Sequence, residues 1–391
     1  MNNAKNILVV GGDGFCGWPL ALRLSNKGHN VTVVDNLSRR KIDIDLGCQS
    51  LTPIASIQDR IEAWREVTGK TIQFHLLNVA TDYDKIVSIV RDEKIQVIVH
   101  LGEQRAAPYS MKSRTTSRYT VDNNLSGTHN ILSAIVEVDL NIHLVHLGTM
   151  GVYGYGVVEK SLIPEGYVDV KMNDGSGNFK DVKILHPSYP GSIYHLTKTQ
   201  DALFFQFYAK NWGIKITDLH QGIIWGLHTT ETKMDKRLIN RFDYDGDYGT
   251  VLNRFIMQAA TGIPLTIYGT GEQTRAFIHI ENSMDCVELA IQNPGSEQNK
   301  VVIFNQMTET QTLNTLASII QKRFANVTVN NIDNPRKELK ANDLNVSNKQ
   351  FLDLGLKPIY IDEDRIQEIY DYVCEFKESV NKKCIMPSSK W

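Results

Sequence analysis

Tyr194 and Lys198 stand four residues apart in YHLTK, where an apolar helix-like stretch begins. On a helix that spacing puts the phenol and the ammonium on one face. A cation beside a phenol stabilises the phenolate and lowers the tyrosine pKa from its usual value of about 10. Tyr194 is therefore expected to serve as a general base near neutral pH, with Lys198 holding it. A lone Tyr-x-x-x-Lys pair occurs by chance in many helices, so its meaning depends on what the rest of the chain supplies.

The chain supplies a nucleotide-binding turn. Residues 6–10 read as a short buried strand, followed by GGDGFCG and an apolar-periodic helix from Phe15 to Lys27. Gly11, Gly14 and Gly17 form a GxxGxxG pattern, with Phe15 and Cys16 in the same turn. Such glycines permit a tight turn, close backbone approach to a pyrophosphate, and close helix–strand packing. A second strand, 31–34, ends at Asp35, eighteen residues past Gly17. A carboxylate there accepts hydrogen bonds from an adenosine ribose and repels a 2′-phosphate, which favours NAD over NADP. Arg39 and Arg40 argue the other way, because either could bind that phosphate. Asn36, Asn78, Leu101 and Gly102, at or just past strand ends, are assigned to the same cofactor, as are Asn124, Tyr194 and Lys198 further on.

The alternation of strand and helix continues with a capped helix over 57–67 (Ser56, then Asp59), strand 72–76, helix 83–91 and strand 97–101. At that strand's carboxyl end GEQRAAPYS aims Arg105 at the ligand crevice. A long helix over 119–136 carries Asn124 in its middle, a mediocre helix former expected to have a structural or site role. Strand 143–147 places Thr149 at its tip. A hairpin insertion, 156–192, contributes the alternating runs 167–171 and 179–185 around NDGSGN. After strand 214–219 and Gln221 the rhythm changes. Residues 227–248 read as a charged loop. Helix 250–261 carries Arg254, and strands 265–268, with Tyr268, and 276–280 flank GTGEQTR, with Arg275. Helix 283–291, strand 301–305 and helix 312–324 follow, then Arg336 and a last helix over 366–380. The pattern predicts an α/β fold, a doubly wound parallel Rossmann-type sheet with a smaller, discontinuous C-terminal substrate lobe. The expected division is 1–221 for the cofactor and 222–391 mainly for substrate, with about 276–305 returning to the first part.

With 391 residues the chain can bury a large core, and its net charge of −2 has no block of like sign, so duplex nucleic acid is not an expected partner. No stretch is apolar enough to span a membrane. The first residues enter a strand directly, which leaves no room for a leader peptide and suggests a cytoplasmic protein. Five scattered cysteines and 11 histidines lack CxxC, HxH or HxxxH spacing, so no metal is expected.

The glycine turn, Asp35, Asn124, Thr149, Tyr194 and Lys198 together resemble the extended short-chain dehydrogenase/reductases that act on nucleotide sugars. The resemblance runs the whole length and includes YGTGEQTR, where Arg275 matches the family's diphosphate-binding arginine. GGDGFCGW, SLTPIASIQDRI, GEQRAAPYSM, LGTMGVYG, YHLTK, RFDYDGDYGTVLNRF and IMPSSKW are similar to the branch of that family that makes UDP-sulfoquinovose, and ordinary epimerases and dehydratases do not share them. The resemblance implies NAD as cofactor, UDP-glucose and sulfite as substrates, a homodimer, and a source of sulfite that leaves a delivering partner open. Tyr194 would take the C4 hydroxyl proton, Lys198 would hold the tyrosinate and a nicotinamide ribose hydroxyl, and Thr149 would orient the 4-oxygen. The resulting ketone acidifies C5–H, water leaves from C6, sulfite adds, and hydride returns to C4. Arg105, His195, Gln221, Arg254, Tyr268, Arg275 and Arg336 are the expected substrate contacts. Where the family's 4,6-dehydratases carry Asp and Glu as acid and base, this chain has Met150 and Gly151, and Val152 replaces a glutamate of plant members. The C5 base is thus open between His195 and Glu103. Two alternatives use the same motifs: a UDP-hexose 4-epimerase or 4,6-dehydratase, and a non-catalytic NAD sensor needing only the glycine turn.

Overall fold

The run NILVV forms β1 (Asn6–Val10), and Ile7 to Val10 are each at most 1% exposed. A strand that is apolar on both sides belongs in the middle of a sheet covered on both faces. In the computed structural model, which describes residues 4–154, 161–295, 299–336, 344–386 and 389–391, that is its position. β1 pairs in parallel with β2 (Asn30–Asp35) on one side and β4 (Val97–His100) on the other. β3 (Ile72–Leu76) lies outside β2, and β5 (His143–Leu147) outside β4. Strands Lys215–Gln221 and Val302–Gln306 extend the sheet beyond β5, giving seven strands, all parallel to their neighbours. Strand order reverses between β1 and β4, so a crevice opens at their carboxyl ends.

Helices cover both faces. One core packs α1 (Gly17–Asn26), with Trp18 and Leu22 fully buried, and the helix Ile280–Gln292 against the sheet. The other packs Tyr83–Asp92, Arg114–Val138 and Ile193–Trp212. The chain leaves the sheet after Gln221 and returns at Val302. Between and after these points it builds a lobe with its own core, including Trp225, Phe242, Phe255 and Phe277. This lobe contains the short sheet Ile223–Trp225, Thr274–His279 and Glu309–Thr312, and the parallel pair Leu265–Tyr268 and Val329–Ile332.

Ser38–Leu46 and Ala107–Met111, for which no element is predicted, are helical. One local expectation is corrected: the long helix begins at Arg114 rather than 119. Its first turn, Arg114-Thr-Thr-Ser, is poor in helix formers, but Ser113 and Thr116 form a reciprocal capping box that starts it. The stretch 227–248 lacks long regular elements, as read, yet it is not a surface loop: Glu231, Arg241, Asp243 and Asp245 are all buried. Their charges are paired, which is the condition under which a charged segment can enter a core. Arg23 on α1 meets Glu231, Glu281 and Asp285, while Arg241 meets Asp43 and Asp243, so this segment fastens the lobe to the sheet. The hairpin expected in 156–192 pairs Tyr167–Asn173 with Phe179–Leu185; residues 156–160 of that insertion lie outside the described residues.

Candidate active site

The glycine turn comes first because it admits so little. Gly11 has a φ of +83°, and a Cβ there would sit 2.7 Å from the Gly102 backbone. A Cβ on Gly17 would overlap the Gly11 carbonyl oxygen. Side chains are thereby excluded where β1, the Gly102 loop and the N-terminus of α1 converge. This bare turn, the helix dipole and the carboxylate of Asp35 at the tip of β2 fit a dinucleotide. Asp35 accepts from the backbone N–H groups of Asp13 (2.9 Å) and Leu37 (2.7 Å). Burial, and then neighbouring Asp13, push its pKa up to about 6 against those bonds and Arg40.

One cleft runs from this turn across the tips of β4 and β5 to the lobe. Gly11, Gly14, Phe15, Cys16, Gly17, Asp35, Asn36, Arg39, Leu101, Gly102, Arg105, Thr149, Tyr194, His195, Lys198, Gln221, Arg275 and Arg336 all line it. Residues scattered over more than 300 positions are thus brought together. Five expected contacts lie elsewhere. Arg40 is held by both oxygens of Asp13 (2.6 and 2.7 Å), which also takes Arg60 (2.8 Å). Asn78 turns its side chain to the backbone N–H of Ala80 (3.0 Å). Arg254 is buried with its guanidinium over the Tyr268 ring, whose other neighbour is Arg336; neither Arg254 nor Tyr268 reaches the cleft. Asn124 is fully buried, accepting from Gln104 N–H (2.8 Å) and donating to Gln104 O (3.0 Å) and Thr197 Oγ1 (3.1 Å). It clamps the loop after β4 to the helix of Tyr194 from beneath.

That helix, Ile193–Trp212, starts at Ser192, whose hydroxyl accepts from His195 N–H. Its first turn projects Tyr194 and its second Lys198 toward the tip of β5. Thr149, just past β5, accepts from Gly151 N–H (3.1 Å), and its hydroxyl is near enough to the Tyr194 phenol to lower that group's pKa. Lys198 is buried; its ammonium donates to Leu147 O (2.6 Å) and pairs with Glu103 (2.9 Å). Burial works against that ammonium, but Glu103, Tyr194 and Asp201 outweigh it, and the Lys198 pKa is raised. Tyr194 departs from expectation: burial raises its pKa, and Glu103 adds to this, beyond what Lys198 and Thr149 take back. The resting site therefore holds a phenol, not a phenolate.

His195 lies beside Tyr194, ring centroids 5.2 Å apart, and its imidazole fills the space over Gly151; any Cβ at 151 would overlap the ring. Gln221 is fixed by bonds to Ser283 (2.9 Å) and Gln306 (3.1 Å). Arg105 is ion-paired with Asp243, which Arg39 and Arg241 share, and the Arg39 guanidinium stacks 3.7 Å from the Tyr248 ring. The sequence reading missed Asp13, Tyr248 and Trp391, which also line the cleft. Asp13 stood in plain view inside GGDGFCG; Tyr248 and Trp391 carry no local signal. Trp391 reaches the cleft through bonds to Gly191 O and Pro335 O (both 2.9 Å).

A seven-stranded parallel sheet with a glycine turn at its switch point and Thr, Tyr and Lys over the neighbouring strand tips defines a nucleotide-sugar-modifying dehydrogenase-type protein. The chain belongs to the NAD dependent epimerase/dehydratase family, whose model matches residues 7–305, and within it to the family of the UDP-sulfoquinovose synthases. It is 42% identical to the chloroplastic UDP-sulfoquinovose synthase of Spinacia oleracea over 99% of this chain and 79% of that one. It is 36% identical to the UDP-sulfoquinovose synthase of Sulfolobus acidocaldarius over 98% and 97%. Its fold matches a UDP-glucose 4-epimerase of Stenotrophomonas maltophila, solved with NAD and formylated UDP-arabinopyranose, with a TM-score of 0.73 at 18% identity over 96% and 100% of the chains. Among the described residues no helix is long and apolar enough to cross a membrane.

Ribose hydroxyls donate to an ionised Asp35 and find a poorer acceptor in the acid. NAD is therefore expected to bind progressively more weakly as pH falls through about 6, and Asp35→Asn to remove that dependence. A fluorescence titration across that range measures it; wild-type affinity flat with pH would contradict the role. NADP should bind worse than NAD, because Arg39 and Arg40 are already committed to carboxylates.

Proposed function

We infer that the chain is a UDP-sulfoquinovose synthase, joining UDP-glucose and sulfite to give UDP-sulfoquinovose and water. The carrying observation is similarity to two such synthases over almost the whole chain, with Thr149, Tyr194 and Lys198 gathered on one cleft. The cofactor is NAD, which, when bound, takes the hydride from C4 of the sugar and returns it, so the overall reaction is redox-neutral. We assign the cofactor to 1–221 and the UDP-sugar mainly to 222–391, with Arg275 and Arg336 facing the diphosphate.

The chain's own groups then have separate tasks. Thr149, beside the phenol, holds the 4-hydroxyl against Tyr194. Tyr194 must shed its proton to act as base, and Lys198 is the cation that makes this possible. A C4 ketone makes the C5 proton acidic. Loss of that proton and of the C6 hydroxyl as water leaves a C5=C6 double bond, and sulfite sulfur forms the new bond at C6 as a proton returns to C5. Neither Met150 nor Gly151 can move a proton. His195, lying over Gly151, is the imidazole best placed for the C5 proton.

Two finer points belong to the same reading. The helix Ile193–Trp212 leaves Leu196, Leu203 and Phe207 exposed at spacings that form one stripe, and a second copy of the chain would cover it. The cysteines Cys16, Cys48, Cys286, Cys374 and Cys384 are all free, which suits a reducing compartment such as the cytoplasm.

Incubation with UDP-glucose is expected to give UDP-sulfoquinovose, identified by mass, only when sulfite is present. Tyr194→Phe should retain NAD and abolish turnover. A 4-epimer or a 4-keto-6-deoxy product formed without sulfite would select the alternative enzymes.

Arg105 is the cation expected to meet sulfite, even though Asp243 shares its charge. Arg105→Ala should lower kcat/KM for sulfite by about ten- to a hundredfold, the cost of one charge-assisted hydrogen bond, and leave UDP-glucose binding unchanged. Kinetics with sulfite varied, beside a UDP-glucose titration, make the distinction; an unchanged sulfite dependence would remove Arg105 from the reaction.

Light scattering should give twice the chain mass, and Leu203→Asp with Phe207→Asp should halve it. A monomeric wild type would dismiss the stripe as an interface.

A further inference from the structure

At the floor of the cleft and behind it, around Lys198, lies a set of buried charges to most of which the reaction, as described, gives no task. Glu103, two residues before Arg105, turns inward rather than into solvent. One of its oxygens is 2.9 Å from Lys198 Nζ and the other 2.9 Å from His146 Nε2. His146, on β5, gives its other nitrogen to Asp218 Oδ1 (2.8 Å). The second oxygen of Asp218 meets His220 Nε2 (3.0 Å), and His220 Nδ1 meets the Tyr153 hydroxyl (2.7 Å). Asp201 lies 3.8 Å from the same His146 nitrogen that faces Glu103. The side chains of His100, Glu103, His146, Lys198, Asp201, Asp218 and His220 are each 3% exposed or less.

Burying this much charge needs a reason. Carboxylates and cations at such depth are stable only in balanced, hydrogen-bonded pairs. Here the balance holds. Burial opposes ionisation of Glu103, but Lys198, His146 and His100 hold its pKa far below the usual carboxylate range. His146 is pushed up to about 9, burial and Lys198 being outweighed by Asp218 and Glu103, so it is an imidazolium. Its 3.0 Å approach to the Lys198 ammonium is then two cations flanking one carboxylate. Asp201 goes the other way: burial and then Glu103 raise its pKa well above its usual value. Glu103, His146 and Asp201 also have the spacing of a metal site, but the Lys198 ammonium already occupies the space beside Glu103 and His146.

We propose that Glu103, braced from behind by His146 and Asp218, is the positioning residue that fixes Lys198 beneath Tyr194 and sets the charge under the phenol. This rests on the reading of Tyr194 and Lys198 as the base and its cation. With Glu103 ionised, Lys198 is locked in place but half neutralised, and the resting phenol keeps its proton. The groups that face the pair are Glu103 and Arg105 from the loop after β4, His100 from β4, His146 from β5, Asp201 from the same helix, and Asp218 with His220 behind His146. Among these, Glu103 is the anion in contact with the ammonium.

The consequence has a definite sign. Two coupled groups lose their protons in steps that belong to the pair, whichever of them bears the charge. Removing a negative charge beside the pair makes its first proton easier to lose; removing a positive charge makes it harder. Glu103→Gln is therefore expected to move the acidic limb of the pH–rate profile to lower pH, by about one to three units for a charge in contact. His146→Gln should move it to higher pH. The ionisation of Tyr194 itself, read from near-ultraviolet tyrosinate absorbance as a difference against Tyr194→Phe, should shift in the same two directions. Retained NAD checks that each variant is folded, and if Glu103→Gln does not fold, His146→Gln carries the test. Limbs that stay put, or move together in one direction, would overturn the proposal. Failure of the functional reading looks different: the wild type would form no sulfonated sugar nucleotide, whereas the tyrosinate titration would still report on Glu103.

Discussion

The site rests on one physical fact, a lysine ammonium held out of water. A cation at that depth has to be neutralised within contact distance, and the neutralising carboxylate has to be held ionised by others in turn. Glu103, His146 and Asp218 form that sequence, and it runs laterally through β4, β5 and the next strand. The parallel sheet is what makes such a row possible. In-register parallel strands place His146 between His100 at the end of β4 on one side and Asp218 on the other, so backbone pairing sets the distances between charges. Lys198 enters from the helix above, and its bond to the Leu147 carbonyl ties it to the last residue of β5.

A second set of charges performs a different task. Arg23, Arg39, Arg60, Arg105 and Arg241 each meet at least one buried carboxylate, and most of these carboxylates lie in 231–245 or in the glycine turn. The lobe is joined to the sheet by ion pairs as much as by apolar packing. Charged contacts of this kind tolerate little sliding, because a displaced guanidinium leaves a buried carboxylate without a partner.

What could be read in the sequence was what is local. Gly11, Gly14, Gly17 and Asp35 occur in order along 30 residues and announce their strand, turn and helix. Tyr194 and Lys198 announce a helix face. What could not be read depends on contacts between distant segments. Asn124 signalled by its type that it had a role, but only the fold reveals that its amide faces the loop backbone rather than a ligand. Arg40 and Arg254 looked like ligand arginines because exposed arginines do; one is bound by Asp13 and the other packed under Tyr268. The stretch 227–248 reads as solvated because charge normally means surface. Its partners at 23, 43 and 281 are invisible to any window. The direction of the Tyr194 shift fails for the same reason: the Lys198 cation is visible in YHLTK, whereas the anion that offsets it is ninety residues away.

Gly151 and His195 occupy a single volume. A side chain at 151 evicts the imidazole, and the imidazole in place forbids a side chain at 151. The two positions therefore form an exclusive pair across 44 residues of sequence. A lineage moving between a carboxylate at 151 and a histidine lying over a glycine would have to change both, and either change alone leaves an overlap or a gap in the cleft wall. Substitutions at these positions should for that reason be strongly epistatic, and the glycine is a record of that constraint rather than a loss of function.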